Sequence, residues 1–380
     1  MKDFDKTDIF GSFPGGRFIG PEEKKEILSI LDARSPYRFY GIAAQKTASR
    51  LEELCVETFQ RNFALGLSSG TAALHTALFA LGVRPGDEVV FPSYAWSADL
   101  MAVLALGAVP VMAALDETWG LDPQKLEACL SSRTKAVMAV HMRGGLCRIP
   151  KIQEMCSRHK VFLIEDGSQC LGGTFSGKKV GTFGDVSVFS FQYHKLITSG
   201  EGGLLLADDN AVYERACRFH DLGMRRRVGE ADPVGPDAIE SFGLNYRMSE
   251  IQAAMLIAQT QKVPRILKGL KQSYEKGMER LHPIMKKFGL RVRPEPEGAQ
   301  RNHAFLCLTG ETTEAAEKAH AYLQEKGIPI QKADRLDPHH FRTWEAFLKR
   351  EGRPYRTVDP ETSLEILSRA LFIEVNSKNG

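Results

Sequence analysis

The chain has 380 residues, of which 43% are hydrophobic and 26% charged, and its formal net charge is +3. This near balance lacks the strongly basic character of a nucleic-acid or membrane-surface binder, so we expect neither as a partner. The first ten residues, MKDFDKTDIF, are charged and have no apolar core segment, so we expect no secretory signal, and the weakly polar stretches are too short to predict a membrane span. Seven scattered cysteines without metal-like spacing favour free thiols in a reducing compartment, so we expect a cytoplasmic protein without a metal site.

The first half of the chain alternates between helical and strand-like segments. An N-terminal helix, PEEKKEILSILDAR, has Pro21 in its first turn and acidic residues after it. From about residue 44 to 210, helix-period segments separate short apolar runs, which are DEVVFPS, AVPVMAAL, KAVMAVH, VFLIED, DVSVFSF and GLLLADD. Continuous apolar strands are buried on both faces, so the pattern predicts an α/β fold with a mostly parallel central sheet covered by helices.

The second half predicts a different organisation. A polar loop, DLGMRRRVGEADPVGPD, precedes an amphipathic helix, RMSEIQAAMLIAQTQKV, and a second, Lys-rich helix that ends at about residue 287. A smaller α+β unit follows. We therefore predict an N-terminal arm and helix (residues 1–43), a large α/β domain (44–250), and connecting helices with a small C-terminal α+β domain (251–380).

Candidate site residues follow the carboxyl ends of the predicted strands, where functional residues of parallel sheets collect. One loop, LSSGTAAL, precedes a helix, whose free N–H groups and dipole favour an anion. The candidates are Ser69, Gly70 and Thr71 in that loop, then Trp96, His141, Arg143, Asp166, Gln169 and Ser190 at strand ends, and Lys195 just beyond.

Each of these features alone has an ordinary interpretation. The Ser/Gly/Thr turn could simply cap a helix, and Asp166 could be a helix cap or the partner in an ion pair. A tryptophan such as Trp96 is usually a core residue, and a lysine such as Lys195 usually lies on the solvated surface. Their combination at consecutive strand ends is different, because a cofactor with a phosphate, a ring nitrogen and an aldehyde needs this set. Pyridoxal phosphate is such a cofactor: a lysine forms a Schiff base with its aldehyde, an acid keeps its ring nitrogen protonated, and an aromatic side chain stacks on the ring.

The chain resembles the DegT/DnrJ/EryC1/StrS family of pyridoxal-phosphate-dependent sugar aminotransferases, of fold type I. The motifs that carry the resemblance are SSGTAAL, GDEVVFPSYAW, VFLIEDGSQC, HKLITSGEGG and GLNYRMSEIQAA. The resemblance implies that Lys195 forms the Schiff base, Asp166 faces the pyridine nitrogen and Trp96 stacks on the ring. It also implies further cofactor contacts, which are Ser69, Gly70, Thr71 and Ser190 at the phosphate, Gln169 near the phenolic oxygen, and Asn245 at the phosphate from the neighbouring subunit.

The resemblance implies transfer of an amino group from glutamate or glutamine to a keto or aldehyde sugar, in a homodimer with shared active sites. The acceptor stays open between a nucleotide-linked sugar and a keto-acid sugar such as an octulosonate. The family often has His-Leu-Tyr-Gly where this chain has His141-Met142-Arg143-Gly144, and an arginine suits a carboxylate or phosphate, although a surface arginine is an equal interpretation. Further candidates for an anionic substrate are Tyr40, His141, Arg225, Arg226 and Arg227.

Two other functions stay open on the same residues. One is a different pyridoxal-phosphate reaction, such as sugar dehydration or decarboxylation, and the other is a non-catalytic regulator with a relic fold. Relatives that remove a hydroxyl replace the Schiff-base lysine with histidine, whereas this chain keeps Lys195, and we expect its neighbour His194 to be a packing residue. Transamination is the predicted activity.

Overall fold

The computed structural model describes residues 9–226, 228–230 and 232–377. The helices are α1 (Pro21–Asp32), α2 (Thr47–Phe59), α3 (Gly70–Ala80), α4 (Ser97–Ala105), α5 (Leu126–Cys129), α6 (Ile149–His159), α7 (Asn210–His220), α8 (Glu250–Phe288), α9 (Thr313–Glu325), α10 (Phe341–Arg350) and α11 (Pro360–Ser368). The strands are β1 (Phe63–Leu67), β2 (Glu88–Pro92), β3 (Val109–Ala113), β4 (Thr134–Val140), β5 (Phe162–Asp166), β6 (Thr174–Phe175), β7 (Lys178–Lys179), β8 (Val186–Ser190), β9 (Gly203–Ala207), β10 (Leu290–Val292), β11 (Ala299–Gln300), β12 (Phe305–Gly310), β13 (Gln331–Lys332), β14 (Arg356–Thr357) and β15 (Ala370–Glu374).

The large sheet has the strand order β1-β9-β8-β5-β4-β2-β3-β14. Neighbouring strands from β8 to β14 are parallel, and β9 runs antiparallel to both β8 and β1. Side chains alternate between two cores: Val89 and Phe91 pack on the side of α3 and α4, while Val90 packs with residues of α5 and α6. The structure confirms the predicted α/β fold with a mostly parallel sheet covered by helices.

Helix α8 is a single helix of 39 residues, so the prediction of two separate helices was wrong. Ser249 caps its start in a capping box with Gln252, and the helix continues through Pro264. A proline removes one N–H from the helix but does not end it when packing compensates. Here α1, α2 and β12 all pack against α8.

The small C-terminal sheet has the order β10-β12-β15-β13 and is antiparallel, with α9 packed against it. The same part of the chain also reaches the large sheet, since Arg356 of β14 pairs in parallel with Val111 of β3. The N-terminal arm joins the small sheet through a bridge between Phe10 and Val375. The division at residue 250 stays a prediction, and it falls where α8 begins.

Two global features of the described residues bear on the earlier expectations. None of their helices is both long and apolar enough to cross a membrane. The seven cysteines are free thiols, and all are buried except Cys217, which is half-buried.

Candidate active site

A cavity of about 590 Å³ lies at the carboxyl edge of the large sheet. Its walls come from the ends of several strands, from the N-terminal arm and from the small domain. Among the residues predicted from sequence, those that line it are Ser69, Gly70, Thr71, Trp96, Arg143, Asp166, Gln169, Ser190 and Lys195. The fold therefore brings together residues that are up to 126 positions apart, from Ser69 to Lys195.

The wall formed by the start of α3 has the character of an anion cradle. Ser69 is the N-cap residue, and its hydroxyl accepts the N–H of Ala72 at 3.1 Å. Gly70 packs so closely on the end of β8 that an added β-carbon would lie 2.7 Å from the Ser190 Cβ. The first N–H groups of a helix have no partner within it, so this turn presents donors and a positive dipole end to the cavity.

Lys195 and Asp166 face the same cavity. Lys195 is half-buried, and its amine makes no hydrogen bond or ion pair within the part of the chain that the structure describes. Burial, together with the nearby Arg143 cation, lowers the pKa of Lys195, while Asp166 and Asp99 act in the opposite direction. Asp166 is 5% exposed, and its Oδ1 accepts the Ser168 N–H at 2.8 Å.

Trp96 and Gln169 both line the cavity. Trp96 immediately precedes α4, keeps 45% of its surface exposed, and its ring centroid lies 4.8 Å from that of His339. The Gln169 Oε1 accepts the backbone N–H of Arg143 at 3.1 Å, and Asn302 donates to the Gln169 carbonyl at 3.2 Å. An exposed indole and an ordered amide are thus available to a ligand.

Arg143 is a buried cation in the cavity wall. It is 8% exposed, with a left-handed backbone (φ 51°), and its guanidinium carbon lies 4.0 Å from the Phe372 ring centroid. Its Nη2 donates to the Tyr94 hydroxyl at 3.3 Å, and its Nε has no partner in the described ranges. Nor does any described carboxylate form an ion pair with it. Of the two sequence interpretations, the structure therefore excludes the exposed surface arginine.

His141 lies outside the cavity, although it was a candidate substrate residue. It is fully buried, its Nε2 lies 3.1 Å from the Glu165 Oε1, and its Nδ1 accepts the Cys147 N–H at 3.2 Å. Glu165 also accepts the N–H groups of Gly181 and Phe183, both at 2.8 Å. Both ring nitrogens of His141 are occupied inside the protein, so we assign it a structural role instead of substrate binding.

The remaining substrate candidates lie away from the cavity of their own chain. Arg225 is held by Glu214, whose carboxylate accepts its Nε at 3.0 Å, and Arg226 pairs with Asp221 at 2.7 Å. Tyr40 is 46% exposed and does not line the cavity. Both arginines already have a carboxylate partner within the chain, and a role of Tyr40 or Arg225 in substrate binding stays a prediction. Arg227 lies outside the described residues.

Asn245 is exposed and does not line its own chain's cavity. Its backbone forms a bridge with Asp221, and the next residue, Tyr246, accepts the Ser68 N–H at 2.8 Å. The segment therefore runs beside the anion cradle, with the Asn245 side chain left available at the surface.

Sequence reasoning missed several residues of the cavity wall. Asp99 lies in the first turn of α4, where an acidic residue is typical of a helix start. Asp337 and His339 come from a loop of the small domain, with the His339 N–H donated to the Asp337 Oδ1 at 2.8 Å. The only sequence signal for this loop is its cluster of Asp and His in DPHH.

The chemistry of these groups fits pyridoxal phosphate. The cradle of Gly70 and Ser190 offers N–H and O–H donors to a phosphate, and the buried Asp166 carboxylate suits a ring nitrogen. An amine of lowered pKa, without a counter-ion of its own, suits reaction with an aldehyde. A metal site has no comparable support, since no group of three or more His, Cys, Asp or Glu among the described residues is arranged to hold an ion.

The fold and this cavity are those of an α/β protein of fold type I with a mostly parallel central sheet. The model of the DegT/DnrJ/EryC1/StrS aminotransferase family matches residues 29–345, and the chain belongs to this family.

Comparison with individual proteins gives three likenesses. The chain is 39% identical over 253 residues to the GDP-perosamine synthase of Caulobacter vibrioides, covering 65% of this chain and 64% of that protein, just under two thirds of its length. It is 40% identical over 203 residues to the L-glutamine:2-deoxy-scyllo-inosose aminotransferase of Streptomyces kanamyceticus, covering 52% and 47%. Its fold is similar to that of the E. coli GDP-4-keto-6-deoxy-D-mannose-3-dehydratase with bound hydrated pyridoxal phosphate, with a TM-score of 0.79 at 21% identity and coverage of 97% and 95%.

Proposed function

We propose that this protein is a pyridoxal-phosphate-dependent aminotransferase that moves an amino group from glutamate or glutamine to a keto or aldehyde carbon of a sugar. The observation that carries the proposal is that Lys195, whose amine has no other partner among the described residues, shares one cavity with Asp166 and the anion cradle. Membership of the aminotransferase family supports it, and the name of the Streptomyces relative supports glutamine as donor.

The residues of the chain divide the work as follows. Gly70, Thr71 and Ser190 would hold the phosphate, Trp96 would cover the ring, and Asp166 would keep its nitrogen protonated. When bound, the cofactor supplies an aldehyde that accepts the amino group and a ring that withdraws electrons from the reacting carbon. Lys195 would hold the cofactor. Its freed amine would then take a proton from the donor Cα and deliver that proton to the cofactor.

The lowered pKa of Lys195 suits this work. An amine is a base only in its neutral form, and burial favours that form. The nearby Asp166 carboxylate acts in the opposite direction and favours the charged amine, but burial outweighs it, so the pKa of Lys195 stays below its ordinary value.

Arg143 supports an acceptor that carries a carboxylate, as in a keto-acid sugar. A buried guanidinium without a counter-ion is costly, and a carboxylate that enters the cavity would pair with it through two parallel hydrogen bonds. The relative from Caulobacter bears the name of an enzyme of a GDP-linked sugar, which supports the nucleotide-linked alternative.

The donor amino acid also carries a carboxylate, so two half-reactions must be measured apart. Purified protein loaded with pyridoxal phosphate should be yellow, and glutamine or glutamate alone should bleach it. The bleached protein should regain its colour with a keto-acid sugar. In Arg143→Gln, loss of the second step alone assigns Arg143 to the acceptor, and loss of the first step alone assigns it to the donor.

Several outcomes would contradict the proposal. Absence of bleaching with both donors would remove transamination, and release of a hydroxyl from a sugar without gain of an amine would indicate a dehydratase. Recovery of colour with nucleotide-linked keto-sugars, at equal rates in wild type and Arg143→Gln, would contradict the keto-acid acceptor.

Assembly and location belong to the same proposal. We infer a homodimer with shared active sites, which the exposed Asn245 beside the anion cradle supports. We also infer a location in the cytoplasm, which the free thiols support. A large domain that ends near residue 250 and a smaller C-terminal domain complete the proposed organisation.

A further inference from the structure

Asp99 is a buried acid that the proposed chemistry leaves unused. It lies three residues after Trp96, and it lines the cavity with Asp166 and Lys195. Its side chain is 0% exposed, and neither carboxyl oxygen has a hydrogen-bond partner among the residues that the structure describes. Buried polar atoms are almost always paired, so this carboxyl group calls for a partner that the cavity provides.

The charged surroundings of Asp99 are simple. Asp166 repels a negative charge on it, whereas the backbone N–H of Asp99 and the Lys195 cation favour one. Of the elements packed against α4, α3 contributes the titratable His75, which bonds to the Tyr246 hydroxyl at 3.0 Å, and β3 contributes none. Burial, and after it the Asp166 charge, raise the pKa of Asp99 well above its ordinary value.

No residue that the structure describes forms an ion pair with Asp99. In the proposed function the Lys195 nitrogen is bonded to the cofactor, so it is not free to pair with Asp99. A buried carboxylate without a counter-charge is costly, so Asp99 keeps its proton. The O–H group then requires an acceptor, and the neighbouring anion is Asp166, one of whose oxygens already accepts the Ser168 N–H.

We propose that Asp99 is a positioning residue for Asp166: its carboxyl group donates a hydrogen bond to the Asp166 carboxylate and orients that carboxylate toward the ring nitrogen of the cofactor. The inference rests on the proposed function. It gives Asp99 no contact with the substrate, and it predicts that a donor at this position matters while its ability to ionise does not.

Two substitutions separate these properties. Asp99→Asn keeps an N–H donor and cannot ionise, whereas Asp99→Leu has a similar size and no polar atom. Wild type and both variants are loaded with pyridoxal phosphate that carries nitrogen-15 in its ring. The nitrogen-15 chemical shift then reports whether the ring nitrogen is protonated, and titration of the apoprotein gives the Kd for the cofactor.

We expect Asp99→Asn to match the wild type in both measurements. Asp99→Leu should shift the ring nitrogen toward its unprotonated form and bind the cofactor roughly tenfold or more weakly, because a hydrogen bond to a charged group is lost. Thermal unfolding of each apoprotein checks the fold. Should Asp99→Leu fail to fold, Asp99→Ala, which adds no bulk, takes its place.

The inference is overturned by an apolar variant with the wild-type shift and Kd, or by Asp99→Asn behaving like Asp99→Leu. Failure of the wild type itself to bind pyridoxal phosphate is a different result. That result would contradict the proposed function itself, whereas the two outcomes above contradict only the role of Asp99.

Discussion

Gly70 and Ser190 touch across the start of α3 and the end of β8, at a spacing that leaves no room for a side chain. An added β-carbon on Gly70 would lie 2.7 Å from the Ser190 Cβ and 3.1 Å from its Oγ. The helix end and the strand end can approach this closely only because residue 70 is glycine. The anion cradle, which we propose binds the cofactor phosphate, depends on that approach.

Gly70→Ala should therefore weaken cofactor binding. The new methyl group forces Ser190 or the start of α3 to move, and we expect the Kd for pyridoxal phosphate to rise roughly tenfold or more. Titration of the apoprotein measures it. Gly20→Ala is the control, since Gly20 precedes α1 and the closest atom to its added β-carbon would be the flexible end of Glu22 at 3.3 Å, with the next atoms at 3.9 Å. Equal affinities of the two variants for pyridoxal phosphate would contradict a role of the anion cradle in cofactor binding.

Lys195 is expected to carry the cofactor covalently. Borohydride reduction of the loaded protein, followed by mass spectrometry of its peptides, should place the pyridoxyl group on Lys195, and Lys195→Ala should lose transamination. Lys178 and Lys179 are exposed residues of β7 and serve as internal controls. A pyridoxyl group on either of them in place of Lys195 would refute the assignment.

Asp166→Asn should bind the cofactor and turn over poorly. The neutral amide no longer favours a protonated ring nitrogen, so we expect kcat to fall roughly 100-fold or more. Steady-state kinetics with absorbance of the bound cofactor separate turnover from loading. Asp122→Asn, a change outside the cavity at a side chain that accepts the Gln124 N–H, should leave kcat unchanged. Near-normal turnover in Asp166→Asn would exclude Asp166 from the mechanism.

Asn245 is expected to complete the site of a partner subunit. Asn245→Asp should be inactive, because its charge repels the cofactor phosphate, and Lys195→Ala should be inactive as well. When the two proteins are mixed and allowed to exchange subunits, each heterodimer contains one intact site, so part of the activity should return. Each variant alone, treated identically, is the control. If heterodimers form and no activity returns, Asn245 acts within its own chain or not at all.

The buried Glu165 should stabilise the fold and contribute nothing to substrate binding. Burial alone would raise its pKa, but hydrogen bonds from His141 and from two backbone N–H groups outweigh burial and hold that pKa below 4.5. A carboxyl with a lowered pKa stabilises the folded state above pH 4.5, and this stabilisation is lost as the pH falls further, through the pKa in the folded state.

Glu165→Gln should consequently cost about 3 kcal/mol of stability at neutral pH, since a buried charge network loses its centre. The difference from wild type should shrink in acid, below pH 4.5. Unfolding midpoints of wild type and variant at neutral pH and below pH 4.5 measure this difference in stability. Glu154→Gln, which removes an exposed pair with Arg158, is the control and should change little. Equal midpoints for the two variants would contradict the structural role of Glu165 and of its partner His141.

The sequence predicted the large sheet because its strands are long apolar runs between strong helix formers. It did not predict β14, because two residues, Arg356 and Thr357, show no periodicity. It divided α8 at Pro264, since the packing that carries the helix through that proline comes from segments far away in the chain.

Prediction of the site from sequence was limited in the same way, because contacts between distant segments leave no local signal. Asp166 ends β5 and Lys195 lies beyond β8, and the combination of such strand-end residues, together with the family resemblance, made them candidates. His141 and Arg143 are two residues apart after β4, yet one bonds to Glu165 in the interior and the other lines the cavity. A left-handed turn at Arg143 separates them, and arginine gives no local signal for that conformation. The role of Asp99 depends on Asp166, 67 positions later, which no local pattern reveals.

The pairing of β14 with β3 has a consequence for how the protein is made. On the ribosome, Val111 emerges 245 residues before Arg356, so the outer edge of β3 stays uncovered until β14 has been synthesised. An uncovered apolar edge strand invites pairing with other nascent chains. Stalled or truncated products that end before residue 356 should therefore aggregate, and chains that include β14 should be protected, because β14 covers the edge of β3.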